Sequence, residues 1–209
     1  MARYTGPSCK LCRREKQKLF LKGTKCFTEK CPLERKNYAP GAHAFSRRAK
    51  VSDYSIQLRE KQKVKRTYGL LETQFRNYFE LASKQKGRTG ENLVKLLERR
   101  MDNIIYRAGL APSRKSARQL ILHKHFKLNS RTVNIPSYLL KAGDTVAVKD
   151  ESKQVKAIHE SLKRVKDDML PAWLQVDKAT LKSTMLAIPE RIDIPFNANE
   201  QLIVELYSK

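Results

Sequence analysis

Forty-four lysines and arginines against 21 aspartates and glutamates leave this chain of 209 residues with a formal charge of +23. Any compact shape it takes must place that excess where counter-charge can reach it. A polyanion is the natural partner. The excess is uneven, since residues 1–66 hold 19 basic and 5 acidic residues and the remaining 143 hold 25 and 16. The N-terminal third is therefore the strongest phosphate-seeking region. Solubility alone needs far less net charge, so the composition favours nucleic acid over a merely solvated surface or an anionic lipid.

With 40% hydrophobic residues the chain has apolar material for two modest domains. No stretch approaches the ~18–20 apolar residues of a membrane span, and Leu19-Phe20-Leu21 is too short for a signal-peptide core. A cytoplasmic protein with no membrane partner is expected. In that reducing compartment, four cysteines read as metal ligands or free thiols rather than disulfides.

Those cysteines are Cys9, Cys12, Cys26 and Cys31, two short pairs separated by a thirteen-residue loop. This spacing lets four thiolates converge on one ion, which suits zinc, with an iron-sulfur cluster as the alternative. Four thiolates and a divalent cation carry a net negative charge, and Lys10, Arg13, Arg14, Lys25 and Lys30 surround them. Four free or structural cysteines remain the plain alternative. A thioredoxin-type role for Cys9 and Cys12 would need a strand before them and a crossover unit around them, and the first eight residues read as neither.

Residues 1–45 lack long apolar periodicity and read as a basic arm. From Ser46 a helical pattern begins, with Tyr54, Leu58, Leu71, Phe75, Tyr78, Phe79 and Ala82 at three-to-four spacing and an interruption near Gly69. After a loop at 86–90, Leu93, Leu97, Met101, Ile104 and Ile105 form one further stripe ending at Gly109. Ser113 then caps a helix whose Ala117, Leu120 and Ile121 face inward. Short β-like pieces follow at 126–128, 132–135 and 145–149. Val155 to Met169 repeats at helical spacing until Pro171. Two more β-like stretches are expected, around Leu181 to Ile188 and in the alternation Ile192, Ile194, Phe196, and Asn199 caps a last helix.

On the helix after Ser113, Arg114 and Arg118 stand four apart, as do Lys115 and Gln119. One side can pack while the other offers guanidinium forks to phosphates. The opening Arg100-x-Asp102-Asn103-x-x-Tyr106-Arg107-x-Gly109, the run Ala111 to Gln119 and the pair His123 and His125 together resemble the S-four RNA-binding domain. The chain departs from that pattern at Lys124 and Ser130, where the family often has glycine, which bears on loop geometry. His123 and His125 have no third ligand nearby in sequence and are not expected to bind metal.

The start ARYTGP, the stretch REKQKVKRTYGLLETQFRNYFELA and the ending NEQLIVELYSK extend the likeness over nearly the whole chain, which resembles the bacterial S-four family of small-subunit ribosomal proteins. The resemblance implies an α+β protein with a mainly helical domain, 46–97 with 190–209, and an inserted module, 98–189, whose helix-helix-strand core is 98–150; the arm 1–45 precedes them, and its four-cysteine metal site rests on spacing and charge, since the cysteine set varies among members of the family. It implies a primary binder of small-subunit rRNA that joins early in 5′-domain assembly. It also implies a place near the mRNA entry channel, a neighbour in ribosomal protein S-five, an influence on decoding accuracy, and no small-molecule substrate. The candidate RNA contacts are Arg3, Lys10, Arg13, Arg14, Arg47, Arg48, Lys50, Arg59, Lys63, Arg66, Arg100, Arg107, Ser113, Arg114, Lys115, Arg118, Gln119, His123, Lys124, His125 and Arg131. S-four modules also occur in pseudouridine synthases and tyrosyl-tRNA synthetases, attached to large catalytic domains. Here no Gly-rich phosphate loop or nucleophile-base set is visible, so no enzyme is expected. A zinc-dependent DNA-binding regulator would need base-reading positions that the sequence does not display.

Overall fold

Two compact units divide the chain in a computed structural model: Met1–Leu93 with Phe196–Lys209, and Val94–Pro195. The residues described are 3–41, 51–165, 170–196 and 198–208. Ser46, Arg47, Arg48, Lys50 and Met169 lie outside them. The sequence pattern puts the corresponding boundaries at 97/98 and 189/190.

The first unit is helical. It holds α1 (Ser8–Glu15), a 3-10 turn at Gly23–Cys26, α2 (Pro32–Arg35), α3 (Asp53–Thr67), α4 (Glu72–Ser83), the start of α5 (Thr89–Glu98) and, from the end of the chain, the helix over Glu200–Tyr207. Ser52 caps α3 by accepting from the Ser55 amide at 3.3 Å. Gly69, at φ 68°, turns the chain so that α4 can fold back. Phe75, Tyr78 and Ala82 then form the buried stripe that the periodicity predicts. The C-terminal helix starts at Asn199, whose side chain accepts from the Gln201 amide at 3.1 Å. It lies along α3, where Gln57 donates to Glu205 at 2.9 Å, and its Tyr207 ring stacks on Phe79 at 4.5 Å. Gly90 faces Glu200 so closely that a Cβ there would lie 2.5 Å from the Glu200 Cβ. A side chain at position 90 would push the two helix starts apart.

The second unit contains the rest of α5, α6 (Met101–Arg107), α7 (Arg114–Leu122), strands β1 (Phe126–Leu128), β2 (Arg131–Thr132) and β3 (Thr145–Val148), α8 (Lys156–Leu162), and β4 (Leu174–Asp177) and β5 (Lys182–Met185). The C-terminal helix is thus α9. All strand pairs are antiparallel, in the order β2-β1-β3-β5-β4. The core joins Met101, Ile104 and Ile105 of α6 and Ala117 and Ile121 of α7 to Phe126, Val146, Trp173 and Met185 of the sheet side. Each such large side chain contributes roughly 1.5–3 kcal/mol by leaving water.

Three expectations are corrected and one strand is added. The single stripe from Leu93 to Ile105 is two helices, because the backbone is extended at Arg100 and bridges Leu139. The alternation Ile192, Ile194, Phe196 is not a strand: Pro189 precedes it and Pro195 interrupts it, Asp193 folds back to Glu190 in a turn, and Ile192 points into solvent. The helix after Val155 stops at Leu162. Strand β4 is not visible in the sequence, since Leu174 and Val176 give too short an alternation to read. The α+β class holds.

Glu72 locks the first unit. Its carboxylate accepts from Lys61 and Lys65 on α3 at 2.7 and 2.6 Å, and from the Tyr207 hydroxyl of α9 at 2.9 Å. Burial opposes the charged form, but the hydrogen bonds from Lys61, Lys65 and Tyr207 outweigh it and hold the carboxyl at about 2, below its ordinary 4.5. A depressed carboxylate contributes stability that is complete above the unfolded value and is lost as pH falls toward the folded one. Because Glu72 is half-exposed, solvent screening limits that contribution to about 1 kcal/mol. Thermal melts of Glu72→Gln should show a loss of that size at pH 7 that closes between pH 4.5 and 2; a difference independent of pH would refute the lock.

Candidate nucleic-acid interface

The break between α5 and α6 organises the second unit's polar residues. Met101 and Asp102 donate their amides to the Tyr138 and Pro136 carbonyls at 2.9 and 3.1 Å, and Leu140 donates to the Arg99 carbonyl at 2.9 Å. Inside the break, Arg100 is 0% exposed and reaches both oxygens of Asp102, at 3.0 and 2.6 Å. Arg118 of α7 is also buried, with Nη1 3.9 Å from Asp102. Beside them, the buried Glu98 accepts two hydrogen bonds from Arg107, at 3.1 and 2.7 Å, and one from the Asn103 side-chain amide at 2.6 Å. Asn103 in turn accepts from Arg114 Nε at 2.8 Å, and that guanidinium lies 4.5 Å above the Tyr106 ring.

The motif that carries the S-four likeness is therefore largely an internal clamp. Arg100 and Arg118, expected on the RNA, are withdrawn from that role: their guanidiniums face Asp102 inside the unit. Position 118 follows Ala117 and precedes Ile121 by three, which puts it on the packed side of α7. Ser113 is likewise buried as a cap, accepting from the Ser116 amide at 3.2 Å. Arg107 and Arg114 are half-buried and bonded within the clamp.

The outer side of α7 carries a strip of half-buried Lys115 and exposed Gln119 at a step of four, continued past the helix end by exposed His123 and Lys124. Arg131, at the far end of the β1–β2 turn, is exposed as well. His125 is half-buried, its Nδ1 2.9 Å from the Ser152 hydroxyl, and its ring lies 6.1 Å from that of His123. Lys124 at φ 61°, and Asn129 and Ser130 at φ 44° and 75°, take left-handed backbone. Both departures from the S-four pattern thus stand at positions that favour glycine. Asn129 holds its turn by accepting from the Thr145 amide at 2.8 Å and donating to Asp144 at 2.6 Å.

In the first unit, Arg3, Lys10 and Arg14 are exposed, and Arg13 donates to the Tyr38 carbonyl at 3.0 Å with its guanidinium over the Tyr38 ring. Arg59 and Arg66 of α3 both bond Oε1 of the buried Glu15 carboxylate, and Lys63 pairs with Glu60 at 2.7 Å. Glu15 was not singled out from the sequence, although one acid between Arg13-Arg14 and Lys16 is a visible signal. Cys12, Cys26 and Cys31 are buried, Cys9 is half-buried, and all four are free thiols. Burial pushes the Cys12 and Cys26 thiols up, reinforced by the neighbouring sulfurs, while backbone amides, including Lys22 N at 3.4 Å from Cys26 Sγ, favour the thiolates. Among the described residues, no group of three or more His, Cys, Asp or Glu side chains is gathered as a metal site. No described helix is long and apolar enough to cross a membrane.

A small α+β module with a basic outer helix, together with a basic helical unit, defines an RNA-binding class of protein, and the family models agree. Residues 3–98 match the ribosomal protein S4/S9 N-terminal domain and residues 99–146 the S4 domain, the S-four module of the sequence reading. Over all 209 residues, and the full length of each relative, the chain is 58% identical to the small ribosomal subunit protein uS4 of Geobacter sp. (strain M21). It is 57% identical to that of Geotalea daltonii and 56% to that of Pelotomaculum thermopropionicum, again with both chains fully covered. The chain belongs to the small ribosomal subunit protein uS4 family, a family of ribosomal proteins and not of enzymes.

The clamp and the strip should separate in mutants. Arg118→Ala removes a buried cation from the Asp102 pair and should destabilise the second unit by about 2–4 kcal/mol. Lys115→Ala combined with Gln119→Ala should alter stability by less than about 0.5 kcal/mol. Denaturant titration of both variants gives the comparison, and equal losses would contradict the division.

Proposed function

We propose that this protein is a structural, rRNA-binding constituent of the small ribosomal subunit that recognises a folded RNA junction early in 5′-domain assembly. The full-length likeness to small ribosomal subunit proteins carries this reading, and the outward strip Lys115, Gln119, His123 and Lys124 supplies its contact chemistry. The deep major groove of A-form RNA is closed to side chains, so rigidly spaced cations read shape and phosphate position more than sequence. Each cation that replaces condensed counterions makes the affinity fall with salt. A place near the mRNA entry channel, contact with ribosomal protein S-five and an influence on decoding accuracy belong to the same reading, as does residence in the cytoplasmic small subunit.

The cysteines are assigned a structural ion, zinc in preference to an iron-sulfur cluster. Three buried thiols and one half-buried one, with the Lys22 amide aimed at Cys26 Sγ, have the donor chemistry of a soft divalent cation, and because they are not gathered as a metal site here the ion would draw them together. Four thiolates would leave no open coordination position, so the ion would order residues 9–31 and perform no chemistry.

Purified protein should bind a folded small-subunit rRNA junction far more tightly than a duplex of equal length, with affinity falling steeply as salt rises; equal affinity at moderate salt would sink the junction reading. Elemental analysis should find about one zinc per chain, lost in Cys26→Ser/Cys31→Ser together with protease protection around α1. Four freely titrating thiols in an equally protected, metal-free protein would remove the ion from the account.

A further inference from the structure

The two arginines on Glu15 stand out because they share one acceptor. Arg59 and Arg66 lie two turns apart on α3, and both direct Nη1 to the same oxygen, Oε1 of Glu15 at the end of α1. Two guanidiniums that reach one oxygen are close enough to grip one small oxyanion. Each carries five N–H donors in a plane, and Glu15 engages only Nη1 of each. Among the described residues, their Nε and Nη2 groups take no other hydrogen bond.

Charge points the same way. Arg14 is exposed on the last turn of α1, within electrostatic range of both Glu15 and Arg59. Two guanidiniums therefore bond one carboxylate while a third acts on it electrostatically, and the nearby Lys63 is already matched by Glu60. The Glu15 side chain is 2% exposed while those of Arg59 and Arg66 are 31% and 21% exposed. The carboxylate lies beneath and the cations reach water above it. Burial raises the titration of that carboxylate, against the pull of Arg66 and Arg59.

We propose that the junction of α1 and α3 is a preformed seat for one phosphate group of the rRNA backbone, gripped by Arg59, Arg66 and Arg14, with Glu15 as the buried counter-ion that holds the guanidiniums in place. This rests on the ribosomal reading above for the source of the phosphate, and on the α1–α3 geometry alone for the seat. A phosphate is the matching ligand because its tetrahedral oxygens accept two guanidinium forks at once and its charge meets the local surplus. Glu15 spaces the forks before binding, so little side-chain entropy is lost when the anion docks.

The test uses the full chain and two probes. Inorganic phosphate is titrated at constant ionic strength while the Nε–Hε NMR signals of Arg59 and Arg66 are followed. Both should shift saturably with phosphate, and neither with acetate or chloride. Glu15→Gln keeps the Oε1 acceptor that spaces the two forks while removing the competing charge, and should tighten phosphate binding about five- to tenfold. A purely structural Glu15 would give the opposite, and weaker binding in that variant overturns the seat. Glu15→Gln/Arg59→Gln/Arg66→Gln keeps a neutral network that avoids a stranded buried charge, with circular dichroism as the check of folding. It should abolish the phosphate response and reduce the slope of log affinity against log salt for the rRNA junction by about 0.7–0.9, one phosphate's worth. An unchanged slope with no phosphate response in the parent protein refutes the seat while junction binding stands. Loss of junction preference in the parent protein refutes the ribosomal reading, and the phosphate titration still decides the seat.

Discussion

A carboxylate removed from water must gather a full set of donors or lose its charge, and Glu98 gathers them from two directions at once. Arg107 bonds it through two nitrogens from the end of α6, and Asn103 bonds both its side chain and its carbonyl. Asn103 then accepts from Arg114, so one buried acid ties the end of α5 to the start of α7. The adjoining pair of Arg100 and Asp102 closes the break where α5 becomes α6. Removing one partner from such an arrangement costs about 3–5 kcal/mol, because the other charge remains buried. The apolar core beneath, from Met101 to Met185, supplies more energy in total and packs α6 against α7. The clamp adds directional hydrogen bonds that tie the start of α7 to α5 and α6.

The first unit solves the same problem with equally few acids. Glu15 meets Arg59 and Arg66, Glu72 meets Lys61, Lys65 and Tyr207, and Glu60 meets Lys63 and the Asn199 amide. Each of these carboxylates joins segments distant in sequence. In a chain with 21 acids and 44 basic residues, acids serve as internal cross-links, and the uncancelled cations are left at the surface. The excess charge and the fold are thus one design: the residues that cross-link each unit internally also decide which of its cations remain available to a polyanion.

This division explains what could be read from the sequence. Helices α3, α4, α7 and α9 and strands β1 and β3 were legible because caps and apolar spacing are local properties. The break at Arg100 was not, because its hydrogen-bond partners lie at residues 136–140, beyond any periodic window. Arg118 was misassigned for a related reason: an arginine on a helix reads as exposed, and only its buried partner Asp102, sixteen residues earlier, shows otherwise. For the candidate site, Lys115 and Gln119 emerged from the same four-residue step that misled at Arg118, and His123 and Lys124 from the segment that carries the S-four likeness. Lone acids within basic runs were the signal left unused, at Glu15 as at Glu98.

Lys124 shows how the clamp, the strip and the backbone meet. It occupies the left-handed position after α7, where its amide bonds the Ile121 carbonyl at 2.8 Å and the His125 amide bonds the Leu120 carbonyl at 3.1 Å, closing the helix in a Schellman motif. Glycine suits that position, and a lysine there costs roughly 1 kcal/mol or more of backbone energy. The ammonium recovers part of this at the helix C-terminus, where a cation is favoured by about 0.3–1 kcal/mol. The remainder is borne by the fold and leaves a charge at the end of the strip that begins at Lys115. Glycine would relieve the backbone and shorten the strip by one cation, so at this residue local stability and the reach of the basic surface pull in opposite directions.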